Sequence, residues 1–374
     1  MLGASSVSQT TFERLRKIKQ KLQDIMHSHS RPMSIPATQT AIAINQAGDF
    51  DVLEKLTLPF KPAPSDIVVK TEYLGVNFID TYYRKGLYPV KGFPAILGSE
   101  ASGTILALPT DENVLNDPEY KKRGYSVGAR VAVCGASIFG FQADYISSPF
   151  KIVHVLPEVI STQTAAAASL QGLTALTFVE EAYHVKKGDT ILVHTVAGGL
   201  GLLFAQLIKA RGATVIGTTS TQEKAELAKA NGADHVILYK EEDTVQRVLE
   251  LTNGVGVDAV FDGVGKDTFD SNFKMLKRKG TLVSVGNASG AVAPFAISRL
   301  VEKNVVLLRP TFGNYCQTAE ELLYYTTKLW EIIGAGGLKV KIHQEYPFTV
   351  EGAKEAQKDL TSGKTTGKLL YKVE

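Results

Sequence analysis

The sequence predicts an α/β protein in which a doubly wound parallel sheet is joined to a β-rich domain. Three observations carry this. Short apolar, β-branched runs alternate with helical patterns between residues 191 and 308. The first run ends in the cluster Val196-Ala197-Gly198-Gly199-Leu200-Gly201 and passes at once into the helical pattern of residues 202–209. The stretch from Thr40 to Pro157 is strand-like and punctuated throughout by Gly and Pro.

Taken in order, residues 1–33 stand apart. Phe12, Leu15, Ile18, Leu22 and Ile25 recur at helical spacing, with Arg14, Arg16, Lys17, Lys19 and Lys21 between them and Glu13 and Asp24 as the acids. The segment reads as an N-terminal extension. The expected location is cytoplasmic, or mitochondrial if the extension is a presequence. Residues 34–160 form the β-rich domain, with strands expected at 41–45, 67–71, 130–133, 145–146 and 152–153. Residues 110–123 are polar and read as a surface insertion. Residues 161–309 open with an Ala- and Leu-rich helical stretch at 162–179. Strands are expected at 191–194, 214–217, 235–238, 259–262, 281–285 and 305–308. Gly212, Gly232 and Gly280 stand where the intervening helices should end. In residues 310–374 the pattern is a helix at 319–333, a strand around Val340, a helix at 350–361 and a strand at 368–373, a tail expected to fold back onto the N-terminal β domain.

Composition narrows the function classes. The 374 residues are 44% hydrophobic and 21% charged, as in an ordinary globular protein. A net charge of +3 gives no reason to expect strong binding to polyanions. Cys134 and Cys316 are too few for a disulfide framework or a Cys-rich metal site, and they suit a reducing compartment. No apolar stretch is long enough to span a bilayer.

Strand, glycine turn, helix is how an α/β protein holds a dinucleotide pyrophosphate, because backbone N–H groups and the helix N-terminus favour its charge. Val196 stands where the usual fingerprint has its first glycine, so the turn must tolerate a side chain there. An NAD site usually places an acid about 20 residues further on, against the ribose 2′-hydroxyl. Here the tip of the second strand is Thr218-Thr219-Ser220-Thr221, with Lys224 beyond. Hydroxyls and a lysine suit a 2′-phosphate, so the sequence favours NADPH over NADH. Ser220 also fits the N-cap of the next helix, with Glu223 completing a capping box; the two roles are compatible.

Longer motifs carry a family resemblance. The run from Gly75 to Pro89, including Asn77-Phe78-Ile79-Asp80-Thr81-Tyr82, resembles the signature of the zinc-independent, zeta-crystallin-like NADPH:quinone oxidoreductases of the medium-chain dehydrogenase/reductase superfamily. So do Leu97-Gly98-Ser99-Glu100-Ala101-Ser102-Gly103, Phe261-Asp262-Gly263-Val264-Gly265-Lys266-Asp267-Thr268 and Gly286-Asn287-Ala288-Ser289-Gly290, with the fungal members most alike. The resemblance runs from about Thr40 to the end. It implies a Rossmann doubly wound sheet for 161–309, a GroES-like catalytic domain for 34–160, and a return to that domain by 310–374.

The resemblance also implies site residues. Asn77 and Tyr82 would line the nicotinamide end, Tyr82 polarising the acceptor or donating a proton and Asn77 orienting nicotinamide or substrate. Asp80 is read as a relay residue or, more simply, as the cap of the helix that begins there. Thr174 would lie near the pyrophosphate or nicotinamide ribose, and Ala197, Gly198, Gly199, Leu200 and Gly201 would form the pyrophosphate turn. Ser220 and Lys224 would hold the 2′-phosphate and Tyr239 would flank the adenosine. Asn287 would stand at the cleft edge, Phe312 would close over the nicotinamide, and Lys364, Gly367 and Lys368 would return to the cofactor. Zinc-dependent relatives have a cysteine at the position of Asn77 and a histidine at that of Ser99, so no metal is expected. The implied reaction is reduction of a quinone by NADPH. The alternatives are reduction of enals, enones or enoyl thioesters, or an RNA-binding or structural role. A homodimer is expected, paired through residues 283–297.

Overall fold

The alternating runs assemble into one six-stranded sheet, every pair parallel, in the computed structural model, which describes residues 34–135 and 139–374. Across the sheet the order is His235–Leu238, Thr214–Thr219, Thr190–Val193, Val257–Asp262, Leu276–Ser284, Val306–Leu308. The chain winds outward one way from Thr190–Val193, then returns and winds outward the other way. A switch point therefore lies between Thr190–Val193 and Val257–Asp262, where α/β sheets bind ligands.

Successive residues feed opposite faces. Ile191, Val193, Val215, Ala259 and Phe261 enter one core, and Leu192, Ile216, Ile237, Val260 and Leu282 the other. Coverage on both faces explains why these strands read as unbroken apolar runs. Each fully buried Leu, Ile or Phe contributes roughly 1.5–3 kcal/mol.

The second large sheet runs Ile342–Pro347, Lys368–Lys372, Asp66–Val76, Glu100–Ala107, Arg130–Cys134, Val153–Val155, with Tyr145–Pro149 also paired to Asp66–Val76. Its closing strand pairs antiparallel, Leu369 opposite Val76 and Leu370 opposite Gly75. That register sets Lys368 beside Asn77. A small sheet of Leu53–Pro59, Thr38–Ile44 and Ala95–Ile96 packs alongside.

Several elements differ from the sequence reading. Glu100–Ala107 and Leu53–Pro59 are strands that the pattern hides, one through Ser and Gly, the other through charged residues on its exposed face. The late strand is Ile342–Pro347, beyond Val340. Gly212 and Gly232 have positive φ at helix ends, whereas Gly280 lies inside the strand Leu276–Ser284. The polar insertion folds into two short helices, Glu112–Asn116 and Pro118–Lys122, capped by Asp111 and Asp117. Among the described residues no helix is long and apolar enough to cross a membrane. The presequence reading concerns residues 1–33, which lie outside the described residues.

Candidate active site

A cleft of about 1100 Å³ opens at the carboxyl ends of the parallel strands. His194, Thr219, Tyr239, Gly263, Val285 and Arg309 each follow or end one strand and face it. Asn77, Tyr82, Tyr83, Tyr88 and Ser99 line the other wall.

Its floor is the glycine turn. Thr195 has φ of 54°, and Gly198 caps the helix Gly199–Ala210. Val196 is fully buried against Gly217 of the neighbouring strand, where a Cβ would come within 2.4 Å of Val196 Cγ1. The missing first glycine is thus matched by one on the next strand. Gly367 forms a backbone bridge to Gly198, bringing the C-terminal segment onto the turn. Ala197, Gly198, Gly199, Leu200, Gly201 and Gly367 all line the cleft.

Beyond the second strand, Thr221 rather than Ser220 caps the helix Gln222–Ala230, accepting from the Lys224 N–H at 3.4 Å. The expected cap therefore moves one residue on. Ser220, Lys224 and Tyr239 line the cleft. The Lys224 ammonium donates to Gly363 O at 2.6 Å. Burial, and then the positive charge of Lys240, hold it below the usual lysine range. Thr174 also faces the cleft, its hydroxyl bonded to Leu170 O at 2.7 Å.

At the far end the helix Phe78–Arg84, with Asn77 as its N-cap, presents Tyr82. The Tyr82 oxygen accepts the backbone N–H of Asn287 at 3.1 Å. Burial raises its pKa, so the phenol is neutral and its hydrogen remains available; Arg309 is close enough to oppose that shift. Tyr88 stacks edge-on at 5.3 Å from Tyr82, and Phe139 lies 4.2 Å from Tyr83, giving an aromatic wall. Phe312, buried at the start of the helix Phe312–Tyr315, also lines the cleft.

Four expected residues are set back from the cleft. Asp80 is wholly buried, and its carboxylate accepts the Asn77 N–H at 2.9 Å, the capping role. Asn287 reaches the site through its backbone. Lys364 is exposed beside Gly363 and Thr365, which do line the cleft. Lys368 is 1% exposed and donates to Asn77 Oδ1 at 2.6 Å and to Glu100. The Asn77 oxygen is therefore engaged by an ammonium. Among the described residues no group of three or more His, Cys, Asp or Glu is arranged for a metal ion.

Sequence reasoning gave no role to Glu100 or Arg309. An acid inside a glycine- and serine-rich strand, and an Arg-Pro immediately after the last parallel strand, were the available signals. His194 is held at both ring nitrogens, by Thr218 Oγ1 at 3.0 Å and Asn272 Oδ1 at 2.8 Å. Since the amide oxygen only accepts, Nε2 carries the proton.

Two domain models match the chain: the alcohol dehydrogenase GroES-like domain at residues 63–158 and the zinc-binding dehydrogenase domain at residues 199–325. A probable quinone oxidoreductase of Schizosaccharomyces pombe is 40% identical over 88% of this chain and 95% of its own. The crystal structure of Escherichia coli quinone oxidoreductase complexed with NADPH superposes with a TM-score of 0.83 at 35% identity, covering 89% of this chain and all of that one. A 2-haloacrylate reductase of a Burkholderia species is 30% identical over 83% of this chain and 91% of its own. The matched domains come in the order the fold requires, and the likeness spans nearly the whole of these relatives: the chain belongs to the quinone oxidoreductase family of medium-chain dehydrogenase/reductases.

Proposed function

We propose that the protein reduces quinones with NADPH, acting as a hydride-transferring quinone reductase. The observation that carries this is one cleft with two chemically distinct ends joined by a phosphate-binding turn. At one end Ser220 and Lys224, with Lys240 near, offer hydroxyl and positive charge, which fits a 2′-phosphate. The turn offers a helix N-terminus, and an added Cβ at Gly199 would strike Gln171 and Gly367, so the cradle has room only for backbone. At the other end an aromatic wall and the Tyr82 hydroxyl suit a planar carbonyl acceptor.

NADPH, when bound, supplies the hydride. The residues of this chain do the rest. Tyr82 donates a hydrogen bond to the acceptor oxygen as negative charge develops there, and Arg309 adds positive charge nearby. Phe312, Tyr88 and Phe139 exclude water. Asn77 orients the nicotinamide or the acceptor. Thr174 and Gly367 sit along the path between the two ends, with Tyr239 at the adenosine rim. Residues 34–160 with 310–374 form the catalytic half and 161–309 the cofactor half.

Reduction of α,β-unsaturated carbonyls is the second reading, favoured by the haloacrylate-reducing relative. Both are tested by NADPH oxidation with an ortho-quinone and with a short enal, NADH run in parallel. Quinone turnover with NADPH preference is expected. Turnover of the enal alone would transfer the assignment.

The chain is further proposed to form a homodimer. Val306–Leu308 is an edge strand in which Val306 is 52% exposed, and in the segment leading to it Ile297 and Val301 are 79% and 70% exposed.

A further inference from the structure

We propose that the buried ion pair Glu100–Lys368 fixes the side-chain amide of Asn77 so that it faces the cleft as a hydrogen-bond donor, which makes Glu100 and Lys368 positioning residues for the reaction. The inference rests on the quinone reductase reading and deepens it.

The three side chains are 0%, 1% and 4% exposed for Glu100, Lys368 and Asn77. An ammonium has donors and no acceptor, so the atom of Asn77 that meets Lys368 Nζ at 2.6 Å has to be the amide oxygen. The amide nitrogen then gives one hydrogen to Glu100 Oε1 at 2.8 Å. One N–H is left, and Asn77 lines the cleft. Chemistry alone therefore sets the flip. With Glu100 and Lys368 ionised, the reversed amide would set an NH₂ against an ammonium and an oxygen against a carboxylate.

The fold is arranged around this pair. The second oxygen of Glu100 accepts the N–H of Leu170 at 2.6 Å, tying the carboxylate to the helix Thr162–Thr177. Gly75 leaves the room, since a Cβ there would come within 2.1 Å of Glu100 Oε1. Lys368 directly follows Gly367, whose backbone bridges the turn at Gly198. One strand thus braces the pyrophosphate turn and the Asn77 amide. A buried ion pair is a weak source of stability, because desolvation offsets its attraction, and an apolar pair of similar volume often serves as well. What an apolar pair cannot do is distinguish the two ends of an amide.

The test uses the full chain and the neutral double variant Glu100→Gln/Lys368→Met, which leaves no unpaired buried charge, beside Lys368→Arg. With quinone as acceptor, the double variant is expected to lose tenfold or more in kcat. NADPH affinity, read by fluorescence titration, should stay within about threefold. The kinetic isotope effect with NADPH deuterated at nicotinamide C4 should rise as hydride transfer becomes limiting. Lys368→Arg, which still donates to the oxygen, should recover most of kcat. A folded double variant with wild-type kcat and isotope effect would overturn the proposal, since a purely structural pair predicts that result. The lock is also read without turnover. In protein carrying isotope-labelled asparagine, the Asn77 side-chain hydrogen held by Glu100, assigned with Asn77→Ser, should exchange slowly with solvent in the wild type and rapidly in the double variant. Fast exchange in the wild type would overturn the lock whatever the activity. Absence of turnover by the wild type with both acceptors would instead overturn the reaction, leaving the amide signal to decide the lock.

Discussion

The hydroxyl oxygen of Tyr82 accepts the backbone N–H of Asn287 across the cleft at 3.1 Å. This contact joins the helix Phe78–Arg84 to the loop after the strand Leu276–Ser284. It fills an acceptor position on the phenol and leaves the hydrogen for another partner. Because burial raises the Tyr82 pKa, that hydrogen is retained at neutral and mildly alkaline pH. Tyr82→Phe should therefore lower kcat with quinone by about a hundredfold, the usual range for one positioned donor. NADPH affinity should barely change. Stopped-flow hydride transfer measures both, and an unchanged rate would remove Tyr82 from the chemistry.

Lys224 predicts cofactor choice. Its ammonium is partly desolvated and near Lys240, an arrangement that gains from a dianion. A hydrogen bond to a charged group is worth about 1.5–3 kcal/mol. Lys224→Ala should therefore raise the KM for NADPH by roughly ten- to a hundredfold while leaving NADH within about twofold. Equal effects on both cofactors would mean that Lys224 acts only through Gly363.

Asp80 predicts a pH dependence. Its carboxyl is wholly buried, and burial, opposed in part by the Asn77 N–H and Lys368, pushes its pKa from 3.8 up to about 7. Glu100 raises it further, and the Tyr83 and Tyr371 hydroxyls also lie near. Since the folded value exceeds the unfolded one, the associated stability is complete below pH 3.8 and is lost as pH rises through about 7. Asp80→Asn keeps an acceptor for the Asn77 N–H without the charge. It should be more stable than wild type above pH 7, by roughly 4 kcal/mol at most, with the difference shrinking as the medium is acidified. Urea unfolding of both proteins at pH 5 and pH 8 reads this directly. A difference that is constant with pH would show that Asp80 is already ionised in the folded state.

Dimerisation is predicted from the open edge. Ile297 and Val301, in the segment leading to the edge strand Val306–Leu308, are largely exposed. Ile297→Asp/Val301→Asp should turn a dimer into a monomer by light scattering at micromolar concentration, with the fold intact by circular dichroism. A wild-type monomer at that concentration would sink the claim.

What could be read from the sequence follows from where the information lies. The parallel strands were legible because they are buried on both faces, so Ile191–Val193 and Val257–Phe261 carry apolar runs with glycine punctuation. Glu100–Ala107 was not, because its small and polar residues serve contacts distant in sequence: Glu100 to Asn77 and Lys368, and Ser102 to Thr162 O. The residues lining the cleft were largely legible through motif resemblance. The division of labour behind it was not. Lys368 and Lys364 are both lysines beside the same glycine segment, and only strand pairing with Asp66–Val76 turns one of them inward. The sequence likewise named Ser220 as a helix cap, whereas the backbone gives that place to Thr221 and leaves Ser220 facing the cleft.

Val196 stands where the dinucleotide fingerprint usually has its first glycine. A side chain where the fingerprint has glycine would ordinarily push the turn off the neighbouring strand. Here the space comes from Gly217, whose absent Cβ leaves room for Val196 Cγ1. The two positions should thus be energetically coupled. Gly217→Ala alone forces a contact of 2.4 Å in a fully buried place and should destabilise by roughly 1–3 kcal/mol. It should also weaken NADPH binding, because the same turn carries Gly198 and Gly199. Val196→Ala alone opens a small cavity, at a cost of about 1–2 kcal/mol. The double variant should be clearly more stable than the sum of the two losses, since the alanine at 217 refills what the valine vacates. Thermal unfolding of the four proteins gives the coupling. Additive losses would mean that the turn adjusts independently of the strand, and that the glycine on the second strand has another cause.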